Sequence, residues 1–423
     1  MELEVNRAES IRGEVNAPPS KSFTHRAFLI ASLAEGFSKI KYPLYSEDTI
    51  ATLDSCLAFG VDIEAESSEC LINGSGGNLK TPDDVLDVRN SGTTLRFLSS
   101  AASLAPEYTI LTGDDSLRTR PMQQLIESLE RLGVTIKSSR SNGKAPIIVK
   151  GRLKGGSTFI KGDVSSQFIS SILITAPYAD NPVDLEIKGK FISKPYVDIT
   201  LDVMKEFGVE VETSNINHFH VEPQKYKGKE YAVEGDYSSA SYLIAAAASL
   251  NSDLTLKNLN LDSKQGDKFI LDIVEQMGSE VQLKDGQVHI KGQGELHGVE
   301  VNLENTPDLL PTVAALGANA QGTTHIYGVE HARLKETDRI HACALELSKL
   351  GVSVKENDDG LTIEGGARGG VVESHHDHRL VMALYLIGLK VGRVKIENAS
   401  VYDVSFPNFI EVMEKLTGVE NEE

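Results

Sequence analysis

The sequence predicts an α/β protein of two lobes, each built from three repeated β/α units with buried helices. Three observations carry that prediction. An amphipathic helix, a glycine just past its end and a strand of alternating apolar residues recur along the chain, with Gly60, Gly133, Gly208, Gly278, Gly351 and Gly418 at the junctions. Glycine tolerates the left-handed position that closes a helix. One such junction means little, but copies spaced roughly 70 residues apart mark a repeated supersecondary unit. Each repeat also holds a second helix upstream, over 22–35, 93–104, 166–176, 237–250, 307–318 and 377–389. These stretches are rich in Ala, Leu and Ser and poor in charge, so they are buried on most sides, with the more charged helices outside. Finally, a chain of 423 residues with 40% apolar content is long enough for two cores.

The last unit, closing at Gly418, is incomplete, and residues 1–14 are expected to supply its missing strand. The lobes would then be 15–231 and, discontinuously, 1–14 with 232–423. The chain would cross near Gly13-Glu14 and near 230–232, and two such crossings form a hinge suited to closing around a ligand.

Composition excludes several function classes. A net charge of −19 argues against a broad nucleic-acid or anionic-membrane face. No apolar run approaches the ~18 residues of a membrane span. The start, Met1-Glu2-Leu3-Glu4-Val5, has neither the basic nor the apolar part of a signal peptide. Cys56, Cys70 and Cys343 are scattered, which suits buried thiols in a reducing cytoplasm. The tail Glu420-Asn421-Glu422-Glu423 is expected to be solvated.

Against this acidic background, cations stand repeatedly at predicted helix starts: Lys21 and Arg26, Arg96, Arg120, Arg339 and Arg379. A helix N-terminus favours anions, so an exposed cation there costs about 0.3–1 kcal/mol. Repetition of the mismatch points to a multiply anionic ligand, because amides and guanidinium groups grip phosphate together.

The individual segments run as follows. In Pro18-Pro19-Ser20-Lys21-Ser22-Phe23-Thr24-His25-Arg26, the prolines hold off the helix until Ser20, and both cations can reach a pocket at its start. Asn90-Ser91-Gly92-Thr93-Thr94-Leu95-Arg96 is a small-residue turn whose amides an anion can approach. Arg118 and Arg120, before Pro121, add a second cationic loop. Ser165-Ser166-Gln167 and Ser193-Lys194-Pro195-Tyr196 offer hydroxyls and amides at two further helix starts. Each of these, taken alone, reads equally as ordinary helix capping. Asn305-Thr306-Pro307-Asp308 is also ordinary N-terminal chemistry by itself. In Arg333-Leu334-Lys335-Glu336-Thr337-Asp338-Arg339, a carboxyl flanked by cations could be held for proton transfer. His375-His376-Asp377-His378-Arg379 invites a metal, but neighbouring histidines do not point to one centre, so an anion-facing His-Arg pair is preferred and no metal is expected.

As an ordered set these segments, continuing to Ser405-Phe406-Pro407, strongly resemble the 5-enolpyruvylshikimate-3-phosphate synthase family of enolpyruvyl transferases. The resemblance implies a two-lobed inside-out α/β barrel. It also implies a reaction in which the 5-hydroxyl of shikimate 3-phosphate adds to C2 of phosphoenolpyruvate and the intermediate expels inorganic phosphate, with no cofactor. By matching position, Lys21, Ser22, Arg26, Ser165, Ser166, Gln167, Ser193, Tyr196, Asp308 and Lys335 would hold shikimate 3-phosphate. Lys21, Asn90, Gly92, Arg120, Gln167, Arg339 and Arg379 would surround phosphoenolpyruvate. Asp308 would accept the hydroxyl proton, and Glu336 with Lys21 would handle proton transfer at the methylene carbon. A site lying between lobes of one chain implies a monomer, with no partner beyond its small-molecule substrates.

Two positions depart from the family pattern: His331 stands where Asn is common, and Val404 where Lys is common. His331 can still donate a hydrogen bond. Val404 removes a cation, so weaker phosphoenolpyruvate binding is expected. A related transferase acting on a UDP-amino sugar would carry a reactive Cys before the Arg-Pro pair, and Asp114-Asp115-Ser116-Leu117-Arg118-Thr119 has none. A non-catalytic anion sensor would have no need of both Asp308 and Glu336.

Overall fold

The computed structural model describes residues 1–421. They divide into two compact units, one of residues 21–233 and one of residues 1–20 with 234–423.

Unit 21–233 contains α1 (Lys21–Leu33), α2 (Glu47–Ala58), α3 (Gly92–Ala101), α4 (Gln123–Arg131), α5 (Ser166–Thr175) and α6 (Lys194–Glu206). Its three sheets share one plan, an entering strand parallel to its neighbour followed by an antiparallel hairpin. In the first sheet the entering strand is the last of the unit, Glu230–Ala232, which pairs in parallel with Glu35–Lys41.

The other unit contains α7 (Tyr237–Ser249), α8 (Ile270–Gln276), α9 (Leu310–Asn319), α10 (Arg339–Lys349), α11 (His378–Val391) and α12 (Phe409–Thr417). Two of its sheets repeat the plan, and Ser10–Asn16 is the entering strand beside Asn251–Lys257. Gly13 and Glu14 lie inside that paired strand, so the segment stays with this unit, and the boundary falls at Ser20 and Lys21. The third sheet has three strands, and Leu3–Val5 pairs antiparallel with Val394–Glu397 where the hairpin is missing.

The low-charge helices form the cores. Every residue of α7 is buried, as is nearly every residue of α1, α3, α5, α9 and α11. The charged helices α2, α4, α6, α8, α10 and α12 bury one face, because their apolar residues recur at helical spacing. All six junction glycines have φ between 69° and 111°, a backbone state that a Cβ would strain.

Two expectations are corrected at the edges. Residues 307–309 form a 3-10 turn ahead of α9, because Pro311 cannot donate to the ladder that an earlier helix start would need. Glu420 is exposed, but Asn421 is half-buried and tied down: its Oδ1 accepts the Asn6 amide at 3.0 Å, and its Nδ2 donates to the Tyr385 hydroxyl at 2.8 Å. Glu422 and Glu423 lie outside the described residues.

Candidate active site

In unit 21–233 α3 packs on α5, and α5 and α1 both pack on α6, which brings the starts of α1, α3 and α5 into one cluster. Their aligned dipoles put partial positive charge at one place. Lys21 opens α1, and its Nζ meets Asp48 of α2 at 2.9 Å. Arg26, one turn further on, is 1% exposed. Its Nε donates to Thr200 Oγ1 at 2.7 Å, and its Nη groups donate to the carbonyls of Ser22 and Tyr196 at 2.8 and 2.9 Å. Phe97 lies under the guanidinium, 5.2 Å from ring to carbon. These partners are neutral, and burial lowers the Arg26 pKa to about 9, which leaves it charged at neutral pH. Burial, with Lys21 and Arg26 nearby, holds the His25 pKa well below its ordinary value, so that imidazole is neutral.

At the start of α3, Ser91 caps the helix by accepting the Thr94 amide. Arg120 Nη2 donates to Asn90 Oδ1 at 2.6 Å, and Asn90 donates in turn to Asp114 at 2.5 Å. Gly92 is where two guanidinium groups converge. A Cβ there would sit 2.9 Å from Arg120 Nη1 and 3.5 Å from Arg96 Nη1. Arg96 also donates to Gln167 Oε1 and lies over the Phe168 ring. Gln167 Nε2 reaches Thr93 Oγ1 at 2.9 Å, joining the starts of α3 and α5. Ser165 caps α5 through the Gln167 amide, and Ser166 is buried beside it. Ser193, in the left-handed region at φ 53°, turns the chain into α6, where Tyr196 lends its carbonyl to Arg26. Ser22 is half-buried at the start of α1 and offers its own carbonyl to Arg26.

The second cluster lies at the starts of α7, α9, α10 and α11. Asp308, on the 3-10 turn Pro307–Leu309, receives three cations. Arg339 Nη1 is 2.8 Å from its Oδ1, Lys335 Nζ 3.3 Å from Oδ1, and Arg379 Nη2 3.1 Å from Oδ2. Arg339 is 1% exposed and also meets Glu336 at 2.5 Å and Asp377 at 2.7 Å. Those three carboxylates outweigh the cost of burial and raise its pKa further. Asp377 caps α11 and, by accepting the Arg379 amide, fixes both arginines. Glu336 and Asp308 thus hang on one guanidinium, a carboxylate pair suited to moving protons beside an anion.

The three neighbouring histidines do not converge. His375 Nε2 is 2.6 Å from Glu346, His376 follows in the same left-handed turn, and His378 is buried in α11. Among the described residues no group of three or more His, Cys, Asp or Glu side chains is arranged to hold a metal. His331 is buried on the 3-10 segment Glu330–Leu334, and Val404 ends the segment Ala399–Val404. Arg118, half-buried, pairs with Asp115 and donates to the Gly113 carbonyl of its own loop. The sequence reading singled out Arg96 at its helix start but assigned it to neither substrate. It missed Asp48, Ser238 and Asp267, whose placement only packing reveals.

Comparison with known proteins converges on one family. Residues 5–413 match the model of EPSP synthase (3-phosphoshikimate 1-carboxyvinyltransferase). The chain is 55% identical over 424 residues to the 3-phosphoshikimate 1-carboxyvinyltransferase of Methanosphaera stadtmanae, covering 99% of this chain and 100% of that one. It is 57% identical over 413 residues to the enzyme of the same name from Methanothermobacter thermautotrophicus, covering 98% of each. The solved EPSP synthase of Acinetobacter baumannii superposes with a TM-score of 0.83 at 28% identity, covering 100% of both chains. Its α/β fold is therefore that of the present chain. With the repeated units, the cation-lined helix starts and the full-length matches in agreement, the chain belongs to the EPSP synthase family.

Proposed function

We propose that this chain transfers the enolpyruvyl group of phosphoenolpyruvate to the 5-hydroxyl of shikimate 3-phosphate and releases inorganic phosphate, a step toward chorismate and the aromatic amino acids. The observation that carries the reading is Asp308 and Glu336 sharing Arg339, with Lys335 and Arg379 also on Asp308. Two carboxylates amid cations serve proton transfer on a polyanionic substrate.

Shikimate 3-phosphate is assigned to Lys21, Ser22, Arg26, Ser165, Ser166, Gln167, Ser193, Tyr196, Asp308 and Lys335. Phosphoenolpyruvate is assigned to Lys21, Asn90, Gly92, Arg120, Gln167, Arg339 and Arg379. As the 5-hydroxyl oxygen bonds to C2, its proton passes to Asp308, and C3 takes a proton from Glu336 assisted by Lys21. The tetrahedral intermediate then loses its C2–O bond to phosphate and returns a C3 proton, restoring the double bond. An anion that draws Arg339 and Arg379 away leaves Asp308 freer to accept the hydroxyl proton, so substrate binding and base activation are linked.

The chain is read as a monomer of the cytoplasm. Its three cysteines are free and buried, which suits a reducing compartment. No described helix is long and apolar enough to cross a membrane.

Phosphate release from phosphoenolpyruvate tests the reading, with shikimate 3-phosphate as acceptor and UDP-N-acetylglucosamine in parallel. Turnover with shikimate 3-phosphate alone is expected; turnover with the UDP sugar, or with neither, would overturn it.

A further inference from the structure

Asp267 stands outside every segment assigned to a substrate, yet it is 4% exposed and faces the second cluster. It sits on the 3-10 turn Gly266–Phe269 that leads into α8. That turn is pinned to the start of α7 by Gln265, whose Oε1 accepts the Tyr237 amide at 2.9 Å and whose Nε2 donates to the Gly235 carbonyl at 2.8 Å. Asp236, Asp308 and Arg379 lie close enough to Asp267 for their charges to act on it, and the Ser238 side chain hydrogen-bonds to it.

The direction of that bond follows from Ser238. Its Oγ accepts Arg379 Nη1 at 2.7 Å. A hydroxyl carries one proton, so with its oxygen taken by the guanidinium its O–H is available to the Asp267 carboxylate. While Asp267 is ionised the order therefore runs from Arg379 to Ser238 to Asp267, and Arg379 Nη2 is drawn the other way, to Asp308 at 3.1 Å. Arg379 is held at two corners by two carboxylates, one through a hydroxyl and one directly.

We propose that Asp267 is a positioning residue: acting through the Ser238 hydroxyl, it holds Arg379 in the orientation that receives phosphoenolpyruvate, against the pull of Asp308. This rests on the assignment of Arg379 to phosphoenolpyruvate. Without the charge of Asp267 the hydroxyl keeps at most a neutral, weaker acceptor, and Arg379 settles on Asp308, where it is turned from the anion and also occupies the base.

Steady-state kinetics of the full chain test this with Asp267→Asn, Ser238→Ala, the double variant, and Arg379→Gln as control on the underlying assignment. Asp267→Asn is expected to raise the KM for phosphoenolpyruvate roughly fivefold or more, and to leave that for shikimate 3-phosphate within about twofold. The double variant should lose little beyond the larger single, because residues acting in one chain are not additive. An unchanged KM for phosphoenolpyruvate in Asp267→Asn, while Arg379→Gln raises it, overturns the positioning role and spares the assignment. Equal rises for both substrates, or additive losses in the double variant, also overturn it. An Arg379→Gln variant with unchanged KM for phosphoenolpyruvate overturns the assignment and the proposal with it. Should Asp267→Asn fail to fold, Ser238→Ala carries the same expectation of a rise confined to phosphoenolpyruvate.

Discussion

The two clusters handle positive charge in opposite ways. In unit 21–233, Arg26 is buried among carbonyl and hydroxyl oxygens, and Arg120 and Arg96 rest on the amide oxygens of Asn90 and Gln167. In the other unit, Arg339 alone meets Asp308, Glu336 and Asp377. A buried cation held by neutral oxygens, as Arg26 is, is costly, so it gains most from an arriving dianion. In the second, an anion must compete with carboxylates already in place. At about 4 Å and an effective dielectric near 20, each such pair is worth about 4 kcal/mol before desolvation. The first arrangement serves affinity. On the proposed assignments, the second gives up affinity so that binding and proton transfer become one event.

Removing the competing carboxylate gives the largest effect. Asp308→Asn is expected to lower kcat by about 10²–10⁴-fold, the range of a lost general base, without raising the KM for phosphoenolpyruvate. A rise in that KM would mean that Asp308 supports the arginines rather than competing with them. Gly92→Ala comes next. Its Cβ would lie 2.9 Å from Arg120 Nη1, so the guanidinium must move. A KM for phosphoenolpyruvate raised about tenfold is expected, with shikimate 3-phosphate little affected, and steady-state kinetics with each substrate varied in turn would show it.

The contrast also has a pH signature. His25, in the first cluster, is neutral when folded and gains a proton when unfolded, so its contribution to stability is lost as pH falls below its unfolded value of about 6.5. Asp267, in the second, runs the other way. Burial and then Asp308 raise its folded pKa to about 7, so between its unfolded value and 7 only the native state keeps the proton. Stability is therefore lost as pH rises through that window. Asp267→Asn removes the penalty and is expected to be more stable than the parent at pH 8 by about 1–3 kcal/mol. The gain should shrink toward pH 5, as thermal melts at both values would show; an equal gain at both would assign it to packing. Last, Val404→Lys should lower the KM for phosphoenolpyruvate a few-fold by restoring one exposed cation, as titration of that substrate would read.

Much of this was legible from residue order. The helix–Gly–strand period marked the units because a helix ends in a left-handed turn most readily where a Cβ is absent, and all six glycines adopt it. Low charge around a whole helix marked the core helices, since each charge buried there needs partners of its own. Cations at helix starts pointed to Lys21, Arg26, Arg120, Arg339 and Arg379. The sequence does not say which way a loop side chain points, and Arg118 pairs with Asp115 at the surface.

What the sequence determined by itself is everything set by local chemistry and period: the helices, their ends, the buried faces, and the kinds of side chain offered at each helix start. Tertiary structure alone decided which charges meet. Asp308 and Arg379 belong to different repeats, Asp48 and Lys21 to different helices of one repeat, and no periodicity links either pair. The first pairing arises because the buried helices α9 and α11 of successive repeats pack on one another, so that residues near their starts become neighbours. Charge balance is a property of that packing, which is why Asp267, unremarkable in its own segment, becomes a partner of Ser238 and Arg379 only in the fold.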